Sequence, residues 1–350
     1  MQVLKNAWYA AARSDEIESE LLNRVILGES LVFFRDPQGS VATLFDRCPH
    51  RFAPLRMGKV VNGHLQCPYH GLQFDRDGQC VFNPDGDGLT PQAACVRTYP
   101  TVEKFGLVWI WMGDPVSAQP GLLPEAPFMS DLAYRPVSGY KKIAVNYRYL
   151  IDNLVDAAHL FTVHGDTLGC AGLARAKTTV VREGRGIWAK RMATDAEPPA
   201  LFDMLWRASR GAYEGRMDTW ADARWDPPGL ISQDTGVTLA GHPREQGLHT
   251  RNYHFVTPET DGSSHYFWVI CRNFQLENDR LDSDIRAGSE HAFQQDGSLL
   301  EALQKNVGDR DFWSMGPVLL QGDLGAVQVR RELDRLIASQ VAEQAQRSEA

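Results

Sequence analysis

The chain has 350 residues, of which 43% are hydrophobic and 23% charged, and its 36 basic and 44 acidic residues give a formal net charge of -8. This length accommodates two ordinary domains, and the acidic balance without long charge runs disfavours a nucleic-acid partner. No apolar run approaches the roughly 20 residues that cross a bilayer, and the N-terminus lacks a secretory pattern. We therefore expect a cytoplasmic protein with no membrane partner.

The first third of the chain has an all-β pattern. Residues 31–34 and 41–46 flank the turn signal at 36–39, and a second pair of β-rich runs flanks the turn signal at 75–78. The segment 114–135 is rich in proline, which has no backbone N–H to donate to a sheet. We expect a linker there.

Beyond the linker the pattern becomes mixed. Apolar residues recur at helical spacing over 147–164, which contains neither proline nor glycine. Two hairpins are predicted as well, with strands at 178–182 and 187–192, and at 253–256 and 265–271. The connection of the second hairpin is expected at 257–262, which contains Pro258 and Gly262.

Two short loops each combine one cysteine with one histidine, as Cys48-Pro49-His50 and Cys67-Pro68-Tyr69-His70. Two thiolates and two neutral imidazoles suit a [2Fe–2S] centre, which passes one electron at a time. A structural zinc site is the alternative reading of the same four ligands. Zinc modules usually separate paired ligands by about two to four residues, whereas Cys48 and His50 are separated by one.

Together with the N-terminal segment Asn6-Ala7-Trp8-Tyr9, these loops resemble those of the Rieske non-haem iron oxygenases, in the group with the vanillate and dicamba O-demethylase oxygenase components. The resemblance runs from about residue 3 to about 340. It implies an α+β chain, with an all-β Rieske [2Fe–2S] domain at 1–120 and a helix-grip (START-like) catalytic domain at 135–345. It also assigns both cysteines to one iron of the cluster and both histidines to the other.

A second set of polar residues lies within 147–164. Asp156 and His159 are an i, i+3 pair on one helical face, and a carboxylate there can orient a ligand imidazole. His159 and His164 are five residues apart, about 140° around a regular helix, so the helix must be irregular or end between them if both bind one metal. Two histidines and one carboxylate form the usual oxygen-activating iron site.

The third ligand follows from the resemblance, which places an aspartate in a C-terminal helix and matches Asp296. We expect His159, His164 and Asp296 to bind a ferrous ion, although periodicity alone leaves Glu290 and Glu301 as alternatives. The family also uses the residue matching Asp156 to connect His159 to a cluster ligand of a neighbouring subunit, which implies a homotrimer. Asn153 is expected near the iron.

The substrate chamber of the family uses a histidine that matches His254, and Gln233 occupies a similar neighbourhood. The resemblance implies O2-dependent oxidation of an aromatic substrate, methoxylated or acidic, by O-demethylation to a phenol and formaldehyde. Ring or benzylic hydroxylation of an aromatic acid uses the same iron and stays open. So do an electron carrier that uses only the cluster and a metal-stabilised binding module.

The expected cofactors are the [2Fe–2S] cluster and Fe(II), with O2 as co-substrate. We find no glycine-rich dinucleotide-binding pattern in the sequence. NADH or NADPH is therefore expected to act only indirectly, through a separate reductase and, in some systems, a ferredoxin.

Overall fold

In the computed structural model, which describes residues 1–18 and 20–349, the chain divides into two compact units. The first unit consists of residues 1–123 and 257–260, and the second contains the described residues from 124 onward apart from that insertion. No helix in the described part of the chain is both long and apolar enough to span a lipid bilayer.

In the described part of the first unit, antiparallel strands form three small sheets in the orders β1-β10-β9, β2-β3-β4 and β5-β6-β7-β8. The predicted all-β fold of this region is thereby confirmed. The strands are β1 (Ala7–Arg13), β2 (Leu22–Ile26), β3 (Glu29–Arg35), β4 (Val41–Phe45), β5 (Lys59–Val61), β6 (His64–Gln66), β7 (Gln73–Phe74), β8 (Cys80–Phe82), β9 (Thr101–Lys104) and β10 (Leu107–Met112).

The core of the first unit includes the two cysteines of the paired loops. Cys48 and Cys67 are buried in one apolar cluster with Val32, Phe34 and Leu44 from the sheet β2-β3-β4. The two loops are therefore attached to a packed core, and their positions are fixed by the same burial that stabilises the domain.

The proline-rich segment after β10 forms three short 3-10 turns, at Pro115–Ser117, Pro120–Leu122 and Pro127–Met129. Each turn begins at its proline, where the missing N–H would have had no partner and the fixed φ angle suits a helical turn. The prolines therefore exclude sheet and long helix, as predicted, while they favour these turns.

The second unit is a mixed α+β domain with an antiparallel sheet in the order β11-β18-β17-β16-β15-β13-β12, and β14 pairs with β15. Its strands are β11 (Arg135–Ile143), β12 (Thr179–Glu183), β13 (Gly186–Lys190), β14 (Met192–Ala196), β15 (Met217–Asp226), β16 (Leu230–Leu239), β17 (Leu248–Thr260) and β18 (Ser263–Arg272). Its helices are α1 (Tyr147–Val155), α2 (Leu160–Val163), α3 (Ala171–Arg175), α4 (Ala200–Arg210), α5 (Asp279–Val307) and α6 (Leu324–Glu349).

The long helix α5 packs against β11 and α1, while α6 packs against α1, β12 and β13. Most of α5 faces solvent, and its buried residues are Asp296, Gly297 and Leu300. An acidic residue among the few buried positions of a surface helix needs a polar or charged partner, because isolated burial of a carboxylate is unfavourable.

One local prediction needs correction. The connection of the second hairpin is shorter than predicted, because β17 continues through Pro258 to Thr260. The carbonyl oxygens of Pro258 and Glu259 accept hydrogen bonds from the backbone amides of Leu27 and Gly28, so this stretch is paired despite the proline. The hairpin of β12 and β13 has its turn at the predicted place, where Glu183 pairs with Gly186.

Gly139 provides a test of the packing of this sheet. It pairs with Trp268 across β11 and β18, and a Cβ atom at Gly139 would lie 2.3 Å from the indole ring. Trp268 is fully buried, so the ring has little room to move. We expect Gly139→Ala to lower the free energy of unfolding by about 1–3 kcal/mol, measured by denaturant titration. Gly121→Ala, where a Cβ meets nothing within 4 Å, is the control and should change little.

Candidate functional site

The two Cys-His loops have the same backbone geometry. In each loop the cysteine N–H donates to the carbonyl five residues later, from Cys48 to Ala53 at 2.9 Å and from Cys67 to Leu72 at 2.8 Å. The amide four residues after each cysteine donates back to its carbonyl, at 3.0 Å and 3.2 Å. The residue in that position has a positive φ in both loops, +60° at Phe52 and +75° at Gly71, and glycine adopts this conformation without strain.

The four candidate ligands meet where the loops face each other. The imidazole rings of His50 and His70 lie 4.5 Å apart between centroids and are exposed, whereas Cys48 and Cys67 are buried and not joined by a disulfide. Burial raises the pKa of the Cys48 thiol to about 11, and the neighbouring Cys67 adds to the rise, against hydrogen bonds from the amides of His50 and Arg51. Two adjacent buried thiols become thiolates only beside compensating positive charge, so this donor set fits a metal cluster.

A second group of candidate ligands lies in the other unit. His159, His164 and Asp296 each present one ligand atom, and these atoms lie within 4.8 Å of one another. The Nε2 atoms of His164 and His159 lie 3.1 Å and 3.7 Å from the same oxygen of Asp296. The structure thus brings together two histidines and one carboxylate from α5 and the segment around α2.

The hydrogen bonds of His164 show which ring nitrogen is available to a metal. Its Nδ1 lies 2.9 Å from Oε1 of Gln295, and an amide oxygen only accepts, so Nδ1 carries the proton and donates. Nε2 then directs a lone pair toward the Asp296 carboxylate, itself an acceptor. Two acceptors 3.1 Å apart require a cation or a proton between them, so the residues fit a bound metal ion.

Asp156 interrupts the helical segment just before the candidate ligand His159. Helix α1 ends at Val155, and the Asp156 carboxylate accepts hydrogen bonds from the backbone amides of Ala158 and His159 at 2.7 Å and 3.2 Å. A carboxylate that bonds backbone amides two and three residues later stabilises a break in the helix and the start of the next turn. The next helix, α2, ends at Val163, so a helix ends between the two histidines as predicted, and His159 and His164 are its N-cap and C-cap residues.

The same carboxylate faces the ring of His159, with 3.6 Å between Oδ2 of Asp156 and Nδ1. Burial raises the pKa of Asp156, but the hydrogen bonds from His159 and from the Ala158 amide outweigh burial and hold that pKa below its usual value. Asn153 lies on the other side of the site, where its Nδ2 donates to Asp296 at 3.3 Å. The alternatives are remote from these contacts: Glu290 is exposed, and Glu301 accepts from the Ala144 amide.

The candidate ligands His159, His164 and Asp296 line a cavity of about 500 Å³, a volume in the usual range for small-molecule sites. The predicted site residues of the second unit all contribute to it: Asn153, Asp156, His159, His164, Gln233, His254 and Asp296. Most of the other walls are apolar, with Leu160, Phe202, Leu205, Ile270, Phe274, Ile285 and Phe293 among them.

His254 and Gln233 are bonded to each other in this cavity. His254 is buried, and burial lowers its pKa to about 3 against the opposing charge of Asp296, so the ring is neutral. Its Nε2 donates to Oε1 of Gln233 at 3.0 Å, and its Nδ1 accepts from the Tyr266 hydroxyl at 2.7 Å. Nε2 of Gln233 donates to the Leu154 carbonyl at 2.8 Å. The structure therefore places both residues in the cavity and satisfies their hydrogen bonds internally.

Sequence reasoning missed three polar residues of this site, Gln295, Tyr266 and Asn252. Gln295 is the immediate neighbour of Asp296, and its position beside a candidate ligand was the one available signal. Tyr266 and Asn252 lie on long strands and resemble ordinary sheet residues until the strand pairing is known.

Comparison with known proteins defines the class. Residues 7–100 match the Rieske [2Fe-2S] domain, and residues 143–339 match the vanillate O-demethylase oxygenase C-terminal domain. The chain belongs to this family of Rieske non-haem iron monooxygenases and is an oxidoreductase with a [2Fe–2S] cluster and a mononuclear iron as cofactors. The predicted family, α+β fold class, enzyme class and metal cofactors are confirmed.

Individual relatives are similar over nearly the full length. The chain is 40% identical over 340 residues to the oxygenase component of chloroacetanilide N-alkylformylase from Rhizorhabdus wittichii, covering 96% of each chain. It is 39% identical to the dicamba O-demethylase oxygenase component of Stenotrophomonas maltophilia, covering 96% of this chain and 98% of the relative. A crystal structure of dicamba monooxygenase bound to 3,6-dichlorosalicylic acid matches with a TM-score of 0.92 and 38% identity, over 98% of this chain and 100% of that one.

Proposed function

We propose that residues 1–120 hold the [2Fe–2S] cluster and that residues 135–345 form the catalytic domain. The cluster ligands are Cys48 and Cys67 on one iron and His50 and His70 on the other. The mononuclear iron is held by His159, His164 and Asp296. The observation that carries this proposal is the buried carboxylate of Asp296, which faces two imidazole nitrogens in a cavity of about 500 Å³.

When bound, the cluster supplies electrons one at a time and the ferrous ion activates O2. The protein contributes orientation and exclusion of water. Gln295 holds His164 in the tautomer that presents Nε2, and Asp156 restrains His159 through the backbone amides and the Nδ1 edge of the ring. Asn153 donates to Asp296 and fixes the carboxylate.

Electron delivery to the catalytic iron is proposed to pass through Asp156. Its carboxylate lies beside His159, and the histidine rings of the cluster loops are exposed. In a homotrimer with heterologous contacts, Asp156 would connect His159 with His70 of the partner subunit, as in the family. This arrangement requires an assembly of several chains for turnover.

The reaction we propose is monooxygenation of an aromatic substrate, most simply the O-demethylation of an aryl methyl ether. One oxygen atom of O2 enters the methyl C–H bond and the other leaves as water, with two electrons and two protons consumed. The resulting hemiacetal breaks into a phenol and formaldehyde. Hydroxylation of the ring or of a benzylic carbon has the same electron balance and is the second candidate at this iron.

The electrons are proposed to come from NADH or NADPH through a separate reductase, with a ferredoxin as a further carrier where the system uses one. The names of the relatives, which describe oxygenase components, support this division of labour. A cytoplasmic location, where the nucleotide is available, belongs to the same proposal. A pure electron carrier would not need the second group of ligands or the cavity around it.

The proposed function is tested by loading the purified protein anaerobically with Fe(II), adding a reductase and NADH, and supplying methoxylated and unsubstituted aromatic compounds. We expect substrate-dependent O2 uptake, with formaldehyde released from the methoxylated compounds. O2 uptake that does not depend on any aromatic compound would contradict the oxygenase assignment. Hydroxylated products without formaldehyde would select the second candidate reaction.

Gln295→Leu is expected to weaken iron binding at the mononuclear site by about 10–100-fold, because His164 loses the acceptor that fixes its tautomer. Chelator competition for the single iron measures this affinity, and the absorbance of the cluster reports its retention. The control is Gln294→Leu, the exposed neighbour whose amide bonds Lys141 and Ser298. An unchanged chelator titration for Gln295→Leu would show that the hydrogen bond has no role in metal binding.

A further inference from the structure

Two buried polar atoms of the described cavity lining have no hydrogen-bond partner, Nδ1 of His159 beside the proposed iron and Oδ1 of Asn252 away from it. Asn252 is 8% exposed, its Oδ1 is buried without a hydrogen bond, and neither atom of its amide is bonded to another described residue. Burying an amide without a partner is unfavourable, and this one lies in the wall of a cavity of a size that suits a small molecule. A ligand that bonds it recovers that cost.

The position of Asn252 sets it apart from the other polar residues of the sheet. Thr250, Asn252 and His254 alternate along β17, and each lines the cavity. The hydroxyl of Thr250 bonds that of Thr235 at 2.9 Å, and His254 is bonded to Gln233 and Tyr266. Asn252 pairs with Gln233 across β16 and β17, but the side-chain amide of Gln233 is bonded to the Leu154 carbonyl and to His254 instead of the Asn252 side chain. Of these three polar side chains of β17, the amide of Asn252 is therefore the one left available to a ligand.

The charges around the cavity favour a neutral molecule. Neither lysine nor arginine occurs among the described residues that line it, while five aspartates do: Asp156, Asp166, Asp222, Asp284 and Asp296. Asp222 is paired with Arg244, whose guanidinium lies 2.8 Å from its carboxylate. Asp166 and Asp284 are exposed. The proposed ferrous ion offsets the two remaining carboxylates, Asp156 and Asp296, so the described lining has no surplus positive charge for an anionic ligand, whose burial in a mostly apolar cavity is unfavourable.

We infer that Asn252 is the polar anchor of the substrate, and that the substrate is a neutral aromatic compound with one amide or carbonyl group rather than an aromatic acid. This inference rests on the proposed function and narrows the substrate class that the sequence left as methoxylated or acidic. An amide side chain both donates and accepts, so it matches an amide of the ligand in either orientation. The surrounding apolar walls hold the ring.

The test compares three ligands of one shape, 3-methoxybenzamide, 3-methoxybenzoate and 3-isopropylanisole, by calorimetric titration of the holoenzyme without O2. We expect wild type to bind the amide at least about tenfold more tightly than either of the others. In Asn252→Leu the advantage of the amide over the isopropyl compound should disappear. Asn306→Leu, at an exposed position of α5, is the matched control and should keep the preference of wild type.

Equal or tighter binding of the benzoate by wild type would overturn the inference, and so would an unchanged amide preference in Asn252→Leu. If that variant does not retain the cluster absorbance, Asn252→Ala replaces it and is judged by the same ratio. Binding is measured without turnover. A protein that prefers the amide but never consumes O2 would therefore uphold the anchor and refute the proposed reaction, and the two failures are distinguishable.

Discussion

Replacing Asp296 with alanine is expected to abolish turnover while the protein keeps its Rieske cluster. The carboxylate is buried and faces both imidazole nitrogens, so its removal takes away the one anionic ligand of the proposed site. Iron content should fall from about three to about two ions per chain, since the cluster holds two. Substrate-dependent O2 uptake should fall by about a thousandfold or more. Iron analysis and cluster absorbance on one sample check both.

The control for this prediction is Glu290→Ala, which removes an exposed carboxylate from the same helix. Each variant removes one carboxylate from α5, so the two differ in whether the lost carboxylate faces the histidines. We expect Glu290→Ala to retain about three irons per chain and ordinary turnover. A third iron that survives in Asp296→Ala would exclude Asp296 as a ligand.

Asp156→Asn is expected to keep both metals but to slow electron delivery to the mononuclear iron by at least about tenfold. Asparagine keeps one side-chain oxygen, which can still accept the shorter of the two hydrogen bonds, from the Ala158 amide, so the helix break retains its side-chain cap. The bond from the His159 amide to the second carboxylate oxygen is lost. The substitution also removes the negative charge 3.6 Å from Nδ1 of His159, which would otherwise polarise that ring. Stopped-flow oxidation of the prereduced cluster in the presence of substrate and O2 measures the rate.

Asp166→Asn is the matched control, because Asp166 is an exposed carboxylate lining the same cavity and makes no contact with His159 among those described. Its cluster should be oxidised at the wild-type rate. If Asp156→Asn behaves in the same way, the proposed path through Asp156 is wrong and the residue acts only as a helix break.

The fold was predictable where local patterns determine it. Turn residues at 36–39 and 75–78 separate strands that the structure contains, and the paired loops of Cys48 and Cys67 stand on that sheet framework. The strand through Pro258 was not predictable, because its pairing partners at Leu27 and Gly28 are more than two hundred residues away. Long-range pairing overrides the local signal of a proline.

The candidate site was predictable only where local spacing or the family resemblance points to a residue. The spacing of His159 and His164 indicated that a regular helix cannot hold both, and the structure places them at the two ends of the single turn α2. Spacing did not select Asp296 from Glu290 and Glu301, because all three lie on one long helix; the family resemblance did, and burial favours the same residue. The place of Asn252 and Gln295 in the site depends on which strands and helices meet around the cavity, and a single sequence does not specify this.

The central claim is that one chain carries two unlike iron sites that act together, and a single-turnover experiment tests it most directly. The fully loaded protein is reduced chemically, freed of reductant and reductase, and exposed to O2 with an aromatic substrate that it binds. We predict about one product molecule per chain, formed at the rate at which the cluster is oxidised, and no product when Asp296 is replaced. Cluster oxidation without product, or product formed while the cluster stays reduced, would contradict the account.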